Sequence, residues 1–440
     1  MNVQKNIYMV GIGGIGMSAL AQLLQHEGGR VSGSDREASP TTDILKRAGI
    51  EVFFEHDATH IQKDTELLIY SDAVPEDNVE RAFARAKGIP ELSYFQVLGE
   101  VSKTKRTIAI TGTHGKTTTT AMIASILKHA GKQPTAIVGS IVGDWGPAPL
   151  EREASLTGSN FLAGNSDIFV VEACEYKNHV LELSPEVLVV TNAEWDHTDF
   201  FPSLTDLQNT FKTAAGRVPP LGVVVTAPKD IAIAPILKNV QASVVDYTQE
   251  DVPELSLVGE FNRMNARAAK AAAQALCPDI PNSVVDEVLK NFKGVWRRFE
   301  YKGITPKGAL LYDDYAHHPT AIKKTIEAAQ EKFPDKKLVI AFHPHLYSRT
   351  RDLFSGFADA LALADEVFIL PVYAAREMPD PSFNHASLAE AINSRGGHAE
   401  AISGIEETVQ KFSLYGADTF LCTMGAGDVY KAIEHVLHTE

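Results

Sequence analysis

Cysteine is scarce in this chain: 440 residues supply Cys174, Cys277 and Cys422 and no others. They stand far apart in no metal-binding or redox spacing, which removes a disulfide framework and fits a reducing cytoplasm. A basic excess is also missing. Lys and Arg total 41 against 56 Asp and Glu, a formal net charge of −15, which argues against a general polyanion binder such as a nucleic-acid coat protein. Phosphate ligands are not excluded by this, because local nests of backbone N–H groups suffice. The uncharged stretch from Ile7 to Leu24, following Lys5, superficially resembles a signal peptide or a membrane span. Yet Gly11, Gly13, Gly14 and Gly16 crowd its centre, where a continuous apolar helix would suffer from them, and a strand, tight turn and helix explain it better. No secretion signal, transmembrane segment, low-complexity tract or short-period repeat is read. The expectation is a cytoplasmic protein with neither membrane nor nucleic-acid partners.

What is present is an ordinary globular composition, 44% hydrophobic and 22% charged, at a length that suggests about three domains. Its most informative stretch is T-G-T-H-G-K-T-T-T-T, Thr111 to Thr120, directly after the apolar run Thr107-Ile108-Ala109-Ile110. A strand running through glycines into a helix-compatible segment (Ala121 to Leu127) turns N–H groups and a helix N-terminus onto a phosphate. Lys116 would reach the outer phosphates and the Thr117 hydroxyl would sit on Mg²⁺. The full P-loop spacing wants glycine where Ile110 stands, so the loop is a shortened variant spanning Gly112 to Thr117. The competing reading is a purely structural turn rich in Gly and Thr.

The first segment, Met1 to about Lys105, holds a second glycine turn. Ile7 to Val10 reads as a strand, G-I-G-G-I-G as a turn and Met17 to His26 as a helix. Val31 to Asp35 is a second strand ending in an acid. Gly11, Gly13 and Gly16 match a dinucleotide fingerprint with Asp35 placed for a ribose hydroxyl. NAD is its default ligand and any nucleotide diphosphate the competitor. The strand Leu67 to Tyr70 leads into S-D-A-V-P, where Ser71 would meet a ligand.

In the second segment, about Arg106 to Glu300, the strand-like runs Asp167 to Val171 and Val187 to Val190 end in E-A-C-E and T-N-A-E-W-D-H. Both place polar, metal-competent groups past a strand's carboxyl end, where ligands collect in open parallel sheets. Asn262 and Asn265 share a helix face suited to an adenine edge, against an ordinary polar helix start. The third segment, about Tyr301 to Glu440, alternates strands (309–312, 337–342, 366–370, 419–423) with helices, as a further parallel α/β domain does. Its strand ends carry D-D-Y-A-H-H-P, H-P-H-L-Y-S-R and G-A-G-D. Four of these residues, His317, His318, His343 and His345, invite a zinc reading, but a zinc site needs them convergent and neighbours on a strand point to opposite faces.

Taken in order, G-I-G-G-I-G-M-S, G-T-H-G-K-T-T-T, E-A-C-E, T-N-A-E-W-D-H, N-R-M-N-A-R-A-A, R-R-F-E, D-D-Y-A-H-H-P-T, H-P-H-L-Y-S-R-T-R and M-G-A-G-D-V resemble the Mur ligases over nearly the whole chain. These are ATP-dependent amino-acid ligases of peptidoglycan synthesis. Within the family the motifs are most similar to the branch that joins L-alanine to UDP-N-acetylmuramic acid. The recycling branch, which attaches whole peptides to the same sugar nucleotide, comes next, and a non-catalytic ATP-dependent switch of the same fold is a third reading. The resemblance implies an α/β protein of three domains: a Rossmann-like UDP-sugar domain (1–105), a P-loop ATPase-type central domain (106–300) and a Rossmann-like C-terminal amino-acid-binding domain (301–440). It implies the use of ATP and Mg²⁺; the expected assembly is a monomer or homodimer, which the sequence does not decide between.

By the same resemblance, Gly11, Gly13, Gly14, Gly16, Met17, Ser18, Asp35 and Ser71 bind a UDP-sugar and not NAD. ATP falls to Gly112, Thr113, His114, Gly115, Lys116, Thr117 and Thr118, with Asn262, Asn265, Arg297 and Asp314. Thr117, Glu172 and His197 are the implied metal ligands, with Glu175 as a second acid. Lys116, His317, His345 and Arg349 are the implied catalytic set, the histidines facing the acyl group and the arginine clamping the alanine carboxylate. Three positions depart from the family pattern: Cys174 replaces an Asp, Phe261 a His, and Leu346 a second Arg whose share would pass to Arg349 and Arg351. Lys212 lies one position from where several relatives carry a carbamoylated lysine and is not assigned that role.

Overall fold

A computed structural model describes residues 5–145, 158–375, 377–380 and 382–438. They form three sheets, of five, seven and six strands, and the chain is an α/β protein of three domains. Contacts gather the chain into two compact units. One comprises the chain up to Glu194 with Leu207–Glu254 and Asn265–Asn291, and the other Trp195–Asp206, Leu255–Met264 and Phe292 onward. No helix among the described residues is long and apolar enough to cross a membrane.

In the first unit, the N-terminal sheet is all parallel, in the order Glu51–Phe53, Arg30–Ser34, Asn6–Val10, Leu67–Tyr70, Glu91–Ser93. The strand order reverses direction beside Asn6–Val10, so the turns after that strand and after Leu67–Tyr70 open into one crevice. The helices around it are capped by sequence. Ser39 and Thr42 form a capping box ahead of Pro40–Arg47, Ser93 and Gln96 another ahead of Tyr94–Ser102.

The central sheet runs Ser243–Asp246, Val223–Thr226, Val187–Val190, Arg106–Thr111, Ile168–Glu172, Thr135–Val142, with Ser159–Leu162 antiparallel at its edge. Ile108, Ala109 and Ile110 are completely buried in its middle. Strands covered on both faces read as continuous apolar runs, which is why these were visible in the sequence. The loops after Arg106–Thr111 and its two neighbours therefore lie side by side.

In the second unit the sheet runs Glu300–Ile304, Leu310–Asp314, Thr419–Met424, Lys337–Phe342, Glu366–Ile369, Ala399–Ala401, parallel except at its first strand. Apolar clusters cover both faces, one around Phe342, Phe357 and Leu388, the other around Phe368, Phe412 and Val429. The carboxyl ends of the three middle strands present Asp314 to His318, His343 to Arg349 and Gly425 to Asp428.

Candidate active site

The first glycine turn closes on its own protein. Asp35 Oδ2 accepts the Gly13 N–H at 2.7 Å, its other oxygen accepts Arg36 N–H at 2.8 Å, and the Thr41 hydroxyl donates to the Gly13 carbonyl. A Cβ on Gly13 would stand 2.8 Å from Thr42 Cγ2, and one on Gly16 only 2.6 Å from the Tyr94 hydroxyl. These glycines are thus required by packing around the turn, before any ligand is considered. Gly11 (φ +78) brings the turn against Ser71 and Val74, a would-be Cβ lying 3.0 Å from Ser71 Cβ, so Ser71 packs on the turn. Gly14 is exposed at the rim. Met17 and Ser18 are instead buried in the helix Ile15–His26, where the Ser18 hydroxyl donates to Ile15 O and accepts from Asn160 Nδ2.

The second turn is built differently. Gly112 (φ +120) and Gly115 (φ +84) hold left-handed backbone that other residues rarely adopt. The segment after Val187–Val190 braces the turn from one side. Thr113 N–H donates to Asn192 O at 3.2 Å, the Thr113 hydroxyl to Glu194 O at 2.8 Å, and His114 N–H to Asn192 Oδ1 at 2.9 Å. His114 Nε2 lies 3.0 Å from Glu194. The helix Lys116–His129 starts at the lysine, so Thr117 and Thr118 belong to its first turn.

Lys116 Nζ donates to Gly112 O at 2.6 Å and to Thr113 O at 3.2 Å, and pairs with Glu175 at 2.9 Å. Burial alone would make it easier to deprotonate, but Glu175, Cys174 and Glu172 outweigh that and raise its pKa. The ammonium stays charged. Thr117 Oγ1 is 3.1 Å from Glu172 Oε1, and Glu172 Oε2 takes the Gly139 N–H at 2.8 Å. Two oxygens about 3 Å apart suit neighbouring positions on an octahedral Mg²⁺ with bonds of about 2.1 Å. The residues present therefore fit this metal. Asn265 Oδ1 faces Gly115, 2.2 Å from a would-be Cβ, and lies 3.4 Å from the Thr119 hydroxyl. It thus supports the turn, while Asn262 Nδ2 donates to Val258 O within its own helix start.

In the second unit, Arg349 is buried and donates from Nε to Asp196 Oδ1 at 2.9 Å, with Nη1 3.3 Å from His345 Nδ1. Burial would raise the Asp196 pKa, but Arg349 foremost, then His197 and His317, hold it well below the usual carboxylate range. His197 follows with φ +51. Its N–H donates to Asp196 Oδ1 at 2.6 Å, and its carbonyl accepts from Phe200 and Phe201. His317 Nδ1 is 2.8 Å from Tyr315 O, and its ring centre is 6.2 Å from that of His345. Burial, then Arg349, press the His317 pKa well below the ordinary histidine value. In this arrangement it is neutral, and a donor at Nδ1 leaves Nε2 as an acceptor.

The zinc reading fails in geometry: among the described residues no three of His317, His318, His343 and His345 converge on a point. His318 instead caps the helix Pro319–Lys332. Arg297 is no exposed linker residue. It is buried, pairs with Asp313 at 2.9 Å and donates to Gly427 O at 3.0 Å and to Gly425 O. These bonds commit its guanidinium to the domain's own loops, whereas Arg298 lies 4.8 Å over the Tyr315 ring. Asp314 accepts from Thr325 and from Ala316 N–H, yet burial pushes its pKa up to about 6. Leu346 holds φ +69 at the start of the arginine helix. Arg351 is largely exposed, 3.4 Å from Asp352, and so does not join the buried group around Arg349. Asp196 as the arginine's partner was not foreseen. Its one signal in the sequence is an acid set between Trp195 and His197 at a strand end.

Family models match in three consecutive pieces: the Mur ligase family catalytic domain over residues 6–106, the Mur ligase middle domain over 110–253, and the Mur ligase glutamate ligase domain over 297–427. A UDP-N-acetylmuramate–L-alanine ligase of Clostridium acetobutylicum is 36% identical, covering 99% of this chain and 98% of its own length. One of Desulfitobacterium hafniense is 39% identical, covering 97% and 98%. Among solved structures, the UDP-N-acetylmuramate–alanine ligase of Thermotoga maritima superposes with a TM-score of 0.80 at 30% identity, covering 98% of each chain.

Proposed function

The chain belongs to the Mur ligase family, and from that premise we propose that it joins L-alanine to the carboxylate of UDP-N-acetylmuramic acid, driven by ATP, in the cytoplasm. The observation that carries the ligase chemistry is the meeting of Lys116 with Glu175 and of Thr117 with Glu172 at one glycine turn. Near-full-length identity to L-alanine ligases supports the choice of amino acid. We place the domain borders near residues 105 and 300.

A carboxylate does not form an amide directly, because its leaving oxygen is poor. In the first step a carboxylate oxygen of the sugar nucleotide attacks the γ-phosphorus of ATP, releasing ADP and leaving an acyl phosphate. In the second the neutral amine of alanine attacks the acyl carbon, inorganic phosphate departs with the C–O electron pair, and the amine's extra proton is lost. Phosphoryl transfer depends mostly on positioning and charge neutralisation. Lys116 and the N–H groups of Gly115 to Thr118 would hold the outer phosphates, those of Thr113 and His114 being taken by Asn192. Thr117 and Glu172 would hold Mg²⁺, which would supply neutralisation of phosphate charge, and His197 is our candidate for a second ion. Gly11, Gly13, Gly14 and Gly16 cradle the UDP diphosphate, with Asp35 and Ser71 at its edge. Arg349, its Nε tied to Asp196, presents the rest of its planar fork to the alanine carboxylate. His317 or His345 is our candidate acceptor for the amine proton, and the Asp196 carboxylate would favour the resulting imidazolium at His317 against its burial.

Phosphate release from ATP, measured with UDP-N-acetylmuramic acid and a panel of free amino acids and peptides, tests this reading. Release should require both co-substrates and be fastest with L-alanine. A preference for a peptide would instead assign the recycling reaction, and hydrolysis indifferent to both would assign a switch.

A further inference from the structure

Two loops of the first unit, assigned above to different ligands, are joined by one pair of side chains. Asp72 lies in the loop after Leu67–Tyr70, next to Ser71, which packs on Gly11 of the sugar-nucleotide turn. Its Oδ2 is 2.5 Å from His179 Nε2. His179 in turn sits four residues beyond Glu175, the partner of Lys116, in a segment held firmly to that acid. Asn178 N–H donates to Glu175 O at 3.0 Å, Val180 N–H to Cys174 O at 2.8 Å, and the Thr210 hydroxyl to Asn178 Oδ1 at 2.6 Å. Lys177 and Asn178 take φ +51 and +63 to make the fold-back, strained backbone of a kind that persists only where the surroundings enforce it.

The imidazole is clamped on its other side as well. Its ring stacks on Phe95 at 3.5 Å and 14°. The preceding residue, Tyr94, packs on Gly16 at the start of the sugar-nucleotide helix, and its burial foremost, then the charge of Glu172, raises its pKa. Asp72 stays a carboxylate. Burial works against its charge, but His179 first, then Lys177 and Arg81, lower its pKa. Nothing in the chemistry proposed above uses His179 or Asp72.

Resting on that proposed function, we infer that His179 is a positioning residue: through Asp72 it locks the loop that carries the sugar nucleotide to the loop that carries Glu172 and Glu175. The pair sets where the muramic carboxylate stands relative to the γ-phosphate. It makes each ligand's binding favour the other's, since a coupling between two sites is reciprocal. An aromatic ring stacked under an imidazole fixes its plane, so the bond to Asp72 transmits a displacement of one loop to the other with little slack.

Calorimetry on the full chain tests this, using UDP-N-acetylmuramic acid and a non-hydrolysable ATP analogue with Mg²⁺, each titrated alone and each with the other saturating. In the wild type each ligand should tighten the other by about tenfold. His179→Gln and Asp72→Ala should each bring that factor close to one, while either ligand alone binds within about twofold of wild type. The double variant should lose no more than the single ones, as expected for partners in one interaction. Turnover should fall in step with the lost coupling, with the alanine KM unchanged. Coupling retained in both variants, or weakened binding of one ligand alone with coupling intact, overturns the inference and leaves the proposed function standing. A wild type that binds neither ligand overturns both.

Discussion

The two halves of the machinery are made of different materials. The phosphate cradle of the first unit is mainly backbone: glycines at positive φ, N–H groups braced by Thr191 to Glu194, and one ion pair, Lys116 with Glu175. The strand-end group of the second unit is mainly buried ionisable side chains: Arg349, Asp196 and His317, which bear on one another's charge, and Asp314, shifted chiefly by its own burial. A cradle of backbone has little to titrate, and its function concentrates in two side-chain pairs, Lys116 with Glu175 and Thr117 with Glu172. A buried charge group couples function to stability, because removing any member strands another away from water. The difference predicts how each half responds to damage.

The largest effect should come from the cradle. Lys116→Ala should lower kcat/KM for ligation on the order of a thousandfold, the size of losing a preorganised charge contact, while affinity for UDP-N-acetylmuramic acid stays within about twofold. Calorimetry showing equal loss of the sugar nucleotide would collapse the distinction between the two turns of the first unit. Next is Asp196→Ala, which leaves Arg349 as an unpaired buried cation. It should lower unfolding stability by about 3–5 kcal/mol, read by urea denaturation; an unchanged midpoint would mean that the second unit tolerates bare charge and is not the coupled group described. Arg349→Lys should raise the alanine KM by roughly tenfold or more with little change in the ATP KM, because a point charge cannot reproduce the fork. Equal shifts in both constants would place Arg349 outside amino-acid capture.

The smallest effect sharpens the pH contrast. The Asp314 pKa is about 6 in the fold, above its ordinary 3.8, so folding favours the protonated acid. Its contribution to stability is complete below about pH 3.8 and is lost as the pH rises through 6. Asp314→Asn should therefore gain about 1–2 kcal/mol at pH 8 and almost nothing at pH 3.5, measured by denaturation at both values. A gain independent of pH would show that packing, not charge, sets the difference.

The same contrast explains what the sequence disclosed. The strands Leu67–Tyr70, Val187–Val190 and Lys337–Phe342 stand where their apolar runs place them, because both faces are covered. The helix after the P-loop reads as Ala121 to Leu127 yet spans Lys116–His129. Four β-branched threonines, Thr117 to Thr120, mask its start, and tertiary packing overrides their weak propensity. The antiparallel edge strands Ser159–Leu162 and Glu300–Ile304 were not anticipated, since short edges carry little pattern. Within the site, glycines, Lys116 and Thr117 are legible because backbone geometry and phosphate chemistry demand those residues at that spacing. The Asp196–Arg349 and Asp72–His179 pairs are not, because a contact across 153 residues in one case leaves no local periodicity to read. Asp35 and Arg297 teach a related lesson: their types suit a ligand, yet their first partners are Gly13 and Asp313.

The pairing of Asp196 with Arg349 also bears on how the chain is made. The acid leaves the ribosome 153 residues ahead of its partner, which at typical rates of translation is roughly 10–30 s. Throughout that interval the segment Trp195–Asp206, which belongs to the second unit although it is embedded in the sequence of the first, has no cation to bury against. A fragment beginning at Phe292 inherits the opposite defect, an arginine whose acid was never synthesised. The second unit is therefore a poor candidate for expression by itself, and a nascent chain stalled before residue 349 should remain open to protease at Trp195–Asp206.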